Sequence, residues 1–510
     1  MIRHIEELTK QNERQQATNK ELRAENQKLR MENRSLHERI EKLELTFEQR
    51  IAATISQAID QATKPLYERI AKQGEDNSRK ETEILRLKAQ INKDSSNSSK
   101  PPSSNGFKKV PNNREASVRK TGGQPGHKGH TMTIPKDLEG LVKSGKVQYE
   151  IIDETNDAAR YVSDWTVDLK VIPIYIEHRR PVGSLPSIRY GVGIQAMAIY
   201  MQNVGMMSLE RVSAWFTEVT NGLVSLSEST ILSFSRNAAE KIDLEPMIQD
   251  LLNGEVLHTD ETPVKTTQRL ELGMVEAETA RHTTLNAYVR TYSNERTTLL
   301  TANAHKDERG VKHDNILTRF FGILSHDHDA KLYNYGTKHA TCGVHLNREL
   351  KGMSQLCMLS WAEHIRRLFL EMNQKKNEDL SQNEACCNPA LLQEYEAHYD
   401  ALLEEGAGYL AGMKEKSLGF DELRKMVNRL NAFKDSYLLF MRDYSAPFSN
   451  NQSERDLRHC KTKQKVSGCY RAWQGLTDYC KIRSLTDTAR KRGLNILHAI
   501  RSCSVISVPR

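Results

Sequence analysis

The first 341 residues of this 510-residue chain contain no cysteine; all eight lie at or after Cys342. Their spacings match neither a small disulfide scaffold nor a Cys-x-x-Cys zinc pair, so they read as reduced thiols packed in the fold. The chain also lacks any run of eighteen or more apolar residues, and its start, Met1-Ile2-Arg3-His4-Ile5-Glu6-Glu7, has no hydrophobic signal core. These absences predict a cytoplasmic protein with no membrane partner. Aromatic residues are only 6% and hydrophobic ones 38%, with a mean hydropathy of −0.65, so part of the chain builds no core. What is abundant is positive charge: the formal net charge is +8, which permits a polyanionic partner without requiring one.

The hydropathy deficit lies at the N-terminus. From Ile5 to Phe47 a seven-residue register places Leu8, Leu22, Leu29, Leu36 and Leu43 on one seam position and Asn12, Asn19, Asn26 and Asn33 on the other. Leucine at d over several heptads predicts a coiled coil, and asparagine at a is best satisfied by its own copy across a parallel, in-register homodimer or higher assembly. The alternative, a single solvated helix, would leave the leucine stripe exposed. Residues 1–93 are therefore read as a dimerisation region. The next segment, 94–136, is too rich in Ser, Asn, Pro and Gly to pack. Between 100 and 136 eight basic residues face the single acid Glu115, a net +7. Such an arm, with Lys108, Lys109, Arg119, Lys120 and Lys128, suits DNA phosphates, although a solvated linker would have the same composition.

Alternating apolar residues from Val167 to Ile176 predict a small β unit over 137–190. Residues 191–250 turn helical. Within them, 208–220, the turn Asn221-Gly222 and 227–242 are compatible with a helix-turn-helix or a plain helical hairpin, with Ser227 or Ser229 as the second helix's cap.

Acids then appear where apolar strands stop. Val256-Leu257 runs into Asp260-Glu261, and "FFGILSHDHD" (320–329) breaks into Asp327 and Asp329. A third acid, Glu454, falls in the first turn of a helix predicted after Pro447, capped by Asn450 or Asn451, with Arg458 and Lys461 on the same side. Asp-Glu after a strand is commonly a turn or a helix cap. Acids on two strands and a helix, brought together by folding, also form the arrangement that holds two divalent cations for phosphodiester chemistry.

The segments "LHTDETPVK", "CGVHLNREL" and "FSNNQSERDLR…KQKVSGCYR…RSLTDTARKRGLN" resemble the DDE transposase of bacterial insertion-sequence family sixty-six, the transposase C type. "SSNSSKPPSS", "GGQPGHKGHT", "EHRRP" and "YGVGIQAM" resemble the same family in the same order, so the likeness runs from about residue 94 to the C-terminus. It implies an α/β fold: an RNase H-like catalytic domain (251–350 and 447–510) with a helical insertion (351–446), beside the N-terminal coiled coil and a mostly helical central DNA-binding region. It further implies Asp260, Asp327 and Glu454 as the catalytic, metal-binding acids, separated by 67 and 127 residues. Asn450 and Asn451 would orient the Glu454 helix, and His345, Arg455, Arg458 and Lys461 would stand near the site or touch DNA. The implied cofactor is Mg²⁺ or Mn²⁺, two ions. The implied partners are double-stranded DNA at the element ends and target, a second copy of the chain, and accessory proteins of the same element, in a bacterial cytoplasm and on the nucleoid when DNA is bound.

Three departures matter. The family commonly carries paired cysteines where residues 121–190 have none, so no structural zinc is expected. Ser449 replaces an aspartate before Asn450. "HDHD" replaces Asp-Gly-Tyr, which leaves Asp329 as a rival second acid.

Overall fold

The computed structural model describes residues 15, 18, 20, 24–35, 56–93, 97, 133–153, 162–179, 188–270, 277–279, 285–415 and 417–504. Most of the heptad segment lies outside them, as do Lys108, Lys109, Arg119, Lys120 and Lys128. Residues 24–35 are helical, and a long helix α1 (Ser56–Ile91) follows. Arg30 pairs with Glu81, and Glu25 with Lys80 at 3.6 Å, inside one chain.

The expected β unit at 137–190 does not form among the described residues. The described residues of this stretch hold one short helix, α2 (Leu138–Lys143), and no strand. Val167, Leu169, Ile174 and Ile176 are all exposed. Alternation supplies a face, but a strand also needs a neighbouring edge for its N–H and C=O groups and a layer to bury that face. Neither is present here.

The helical unit consists of α3 (Val192–Asn203), α4 (Leu209–Val219), α5 (Glu228–Lys241) and α6 (Glu245–Leu252). Ser208 caps α4 by accepting from the Arg211 amide, and Ser227, not Ser229, caps α5 by accepting from Thr230. Asn221 and Gly222 take the left-handed conformations that turn the chain between them.

A five-stranded mixed sheet follows. Its strands are β1 (Val256–Thr266), β4 (Leu285–Ser293), β5 (Thr298–Asn303), β6 (Ile323–His326) and β7 (Lys338–Thr341), with a separate hairpin of β2 (Gln268–Leu270) and β3 (Ala277–Thr279). The order is β5-β4-β1-β6-β7; β4 runs antiparallel to β1 and β5, whereas β6 runs parallel to β1 and β7. Helix α7 (Glu308–Asp314) precedes β6.

Period-two alternation gives the sheet two apolar faces. Leu257, Tyr292 and Leu324 pack with Leu251, Val311 and Phe320 on one side. Val264, Val289 and Leu300 pack on the other against Leu457 and Cys460 of α13 (Asn451–Ser467) and Tyr479 of α14 (Trp473–Lys491). Between β7 and α13 stand five helices with their own core around the buried Trp361: α8 (Gly343–Leu356), α9 (Ser360–Ser381), α10 (Pro389–Gly412), α11 (Phe420–Ala432) and α12 (Lys434–Arg442). The last helix, α15 (Ile496–Ser504), returns to the core of the helical unit through Ile500.

The free edge of β5 is closed by side chains rather than by a strand. The Thr298 amide donates to Thr488 Oγ1 (3.1 Å) and the Leu300 amide to Ser484 Oγ (2.8 Å), both on α14. Unpaired edge amides invite foreign strands, and these two are buried as well. Thr488→Val or Ser484→Ala should each cost about 1–3 kcal/mol in urea unfolding, because each leaves a buried N–H without an acceptor.

Candidate active site

Adjacent residues on β1 face opposite sides of the sheet, and this separates the two acids. Glu261 lies opposite Arg290 on β4 and meets its guanidinium at 2.7 Å and the Lys331 ammonium at 3.1 Å. Arg290 also pairs with Asp314 at 3.0 Å, so Glu261 belongs to a neutralised ion network. Asp260 points to the other face, the one covered by α13. It does not end its strand, as the sequence had predicted: β1 continues to Thr266 beside β4. The strand that ends is its other neighbour, β6, at His326.

Parallel pairing sets His258 beside Ser325 and stops there; Asp327 follows directly on the end of β6, close enough to be the leading charge acting on Asp260. Neighbouring strands are about 4.8 Å apart, so two carboxylates there repel strongly. Burial first, then Asp327 and Glu454, push Asp260 up to about 7, opposed by the Glu261 amide and His345. Asp327 keeps an exposed surface. The atoms crowded round its carboxyl still raise it, with Asp329 adding to the effect and His345 opposing it.

Glu454 reaches this point from α13, and Asn450 holds that helix in place. Asn450 occupies the cap position but makes no side-chain cap bond. It is fully buried, and its amide nitrogen donates to the Thr259 carbonyl at 2.8 Å. Its Oδ1 accepts from His258 Nδ1 at 3.0 Å and from Ser325 Oγ at 3.5 Å. Its backbone N–H donates to Cys342 Sγ at 3.2 Å, while the Cys342 amide donates to the His326 carbonyl at 2.9 Å. The strand of Asp260, the strand preceding Asp327 and the helix of Glu454 are therefore tied through Asn450 and Cys342. His258, Ser325 and Cys342 were not singled out in the sequence. His258 stands two residues from Asp260, and strand periodicity alone would have placed it on the same face.

His345, on α8, lies 3.4 Å from Glu454 Oε1. Burial works to lower it, but Cys342, Glu454 and Asp327 outweigh burial and raise it to about 9. Glu454 Oε1 is buried and makes no hydrogen bond, His345 being its ion-pair neighbour. Carboxylates gathered this way, one oxygen of them free of hydrogen bonds, fit a hard cation, which takes oxygen ligands. Among the described residues, no three carboxylate, imidazole or thiol groups are yet drawn close enough to hold an ion unaided.

The rival acid is occupied elsewhere. Asp329 caps a 3₁₀ turn (Ala330–Asn334) and pairs with Lys331 at 3.0 Å. Burial pushes Asp329 upward, but Lys331 wins and holds it below the usual carboxylate value. The histidines of "HDHD" flank Asp327 and serve packing. His326 contacts His339 at 3.3 Å; His328, at φ +68°, meets Tyr333 Oη at 2.7 Å and stacks edge-on against Phe433 before α12. Arg455, Arg458 and Asn451 are exposed on α13. Lys461 is engaged, donating to the Pro263 carbonyl of β1.

Residues 187–478, more than half of the chain, match the family described as the Transposase IS66 family. The chain belongs to that family. The match encloses Asp260, Asp327 and Glu454 together with the helical unit and the helical insertion. Residues 8–133 of this IS66-family chain match a second family, one of unknown function. The uncharacterised protein y4jO of Sinorhizobium fredii (strain NBRC 101917 / NGR234) is 34% identical over 80 residues, 16% of this chain and 25% of the relative. The chain thus spans about a quarter of the length of that curated relative. Among the described residues, no helix of the IS66-family chain is long and apolar enough to cross a membrane.

Proposed function

We propose that this IS66-family chain is a DNA transposase that cuts a strand at the end of an insertion sequence and joins the freed 3′-hydroxyl to target DNA. Asp260, Asp327 and Glu454 are its metal-binding acids. The observation that carries this reading is that β6, the parallel neighbour of the Asp260 strand, stops just before Asp327, while Asn450 ties the first turn of the Glu454 helix to the Asp260 strand. The strand order β5-β4-β1-β6-β7, antiparallel on one side of β1 and parallel on the other, supports an RNase H-like core.

Two divalent cations, Mg²⁺ or Mn²⁺, when bound supply activation of the attacking oxygen and stabilisation of the leaving one. Asp260, raised to about 7 without a cation, sheds its remaining proton as it becomes a ligand. His345, protonated at neutral pH, favours the ionised form of Asp327. Arg455 and Arg458, exposed beside Glu454, are available to DNA phosphates. In the same reading, α4 and α5 hold DNA at the element end, the arm at 94–136 neutralises phosphates, and the heptad segment pairs protomers so that two sites serve two ends.

The test is a labelled duplex ending in the flanking inverted repeat, incubated with protein and Mg²⁺. Nicked and then joined strands are expected. A duplex that is bound but stays uncut in both Mg²⁺ and Mn²⁺ would instead mark an accessory DNA-binding protein derived from a transposase.

A further inference from the structure

The C-terminus of α3 is a buried junction between the helical unit and the helices behind the site. Lys463 lies on α13, nine residues beyond Glu454, about 13 Å along the helix. Its ammonium donates to the Gln202 carbonyl at 3.0 Å. Arg483 on α14 donates to the next carbonyl, Asn203, at 3.3 Å and is itself held by Asp487 at 2.7 Å. Asp487 in turn faces His459 of α13 at 3.2 Å. From the helical unit, Ser235 of α5 donates to the Gln202 side chain at 2.7 Å. All of these side chains are buried or nearly so.

Two cations therefore meet the last carbonyls of one helix, where its dipole is negative and its acceptors have no partner within the helix. The apolar core shared by α3, α5, α14 and α15 already holds these helices together. Apolar packing is non-directional, whereas a bond from a lysine to one particular carbonyl fixes register. Burying an ammonium is unfavourable, and a methionine would fill the same space without that cost.

We propose that Lys463, supported by Arg483, is a positioning residue that sets the helical unit in register with the helix of Glu454, so that DNA held by the unit is presented to the three acids. The second half of this inference rests on the DNA-cutting reading.

Lys463→Met and Lys463→Arg test it with two independent readouts. In the full-length protein without DNA, Lys463→Met should change the melting temperature little, because relief of the buried ammonium offsets the bond lost by the Gln202 carbonyl. Hydrogen exchange at the Val204 and Gly205 amides, which close the end of α3 on the Tyr200 carbonyl, should quicken by about tenfold. With element-end duplex, single-turnover cleavage should fall about tenfold at unchanged duplex affinity, and Lys463→Arg should restore most of it. Wild-type exchange and wild-type cleavage in Lys463→Met would overturn the proposal. So would equal losses of melting temperature, affinity and rate, which would mark a merely structural lysine. If the wild type cuts no DNA, the cutting reading fails, and the exchange measurement still decides whether Lys463 fixes the junction.

Discussion

Asp260→Asn is expected to stabilise the metal-free protein at pH 7 while reducing DNA cleavage by about a thousandfold or more. The stabilisation follows from proton linkage. Asp260 is raised from 3.8 to about 7 in the folded protein, so the folded state binds a proton that the unfolded state has released between those values. The favourable contribution of protonated Asp260 is complete below about pH 4 and lost as pH rises to about 7. What remains at neutral pH is a buried charge held against two others. A shift of this size corresponds to at most about 4 kcal/mol. Stability of metal-free wild type relative to Asp260→Asn should therefore fall between pH 4 and pH 7 in urea unfolding. Saturating Mg²⁺ should raise wild-type stability, by about 2.7 kcal/mol at a hundred times its dissociation constant, and leave the variant unmoved. A variant that is less stable at pH 7 than metal-free wild type would contradict the crowding of these carboxylates.

The second large effect is expected at a residue that is not an acid. Asn450→Ala removes bonds to the Thr259 carbonyl, the His258 ring and Ser325 at a fully buried position. A loss of about 2–4 kcal/mol in unfolding free energy is expected, since the partners left behind remain buried. Cleavage should fall further than stability explains, by about a hundredfold, because a shift of about 1 Å in the Glu454 helix misplaces a reacting group. Assayed in the cold, where the variant stays folded, a wild-type rate would show that Asn450 does not position Glu454.

Much of the site could be read locally. Strand alternation sends Asp260 and Glu261 to opposite faces, Asp260 to the side of Val264 and Glu261 to the side of Leu257. The helices of 208–242, and a cap for the second at Ser227 or Ser229, follow from hydroxyl groups placed before periodic apolar residues, and Ser227 accepts the amide bond there. The long-range geometry was less legible. Nothing near Asn450 in sequence shows that its side chain bonds 191 residues away to Thr259 instead of capping its own helix. The strand that stops before its acid is β6 rather than β1, because strand length depends on which neighbours remain to pair with. The alternation at 167–176 misled for the same reason: a periodic face without a partner edge forms no strand and stays exposed. Ser484 and Thr488 read as ordinary helix residues, and only the tertiary fold brings them to the β5 edge.

The central claim is that Asp260, Asp327 and Glu454 form a cation site. Its most direct test is Mn²⁺ titration followed by electron paramagnetic resonance, on the wild type, Asp260→Asn and Glu454→Gln, without DNA and again with an element-end duplex. The account predicts up to about two ions per wild-type chain with the duplex present, weaker uptake without it, and loss of at least one ion in each variant. Mn²⁺ uptake identical in all three proteins would contradict it.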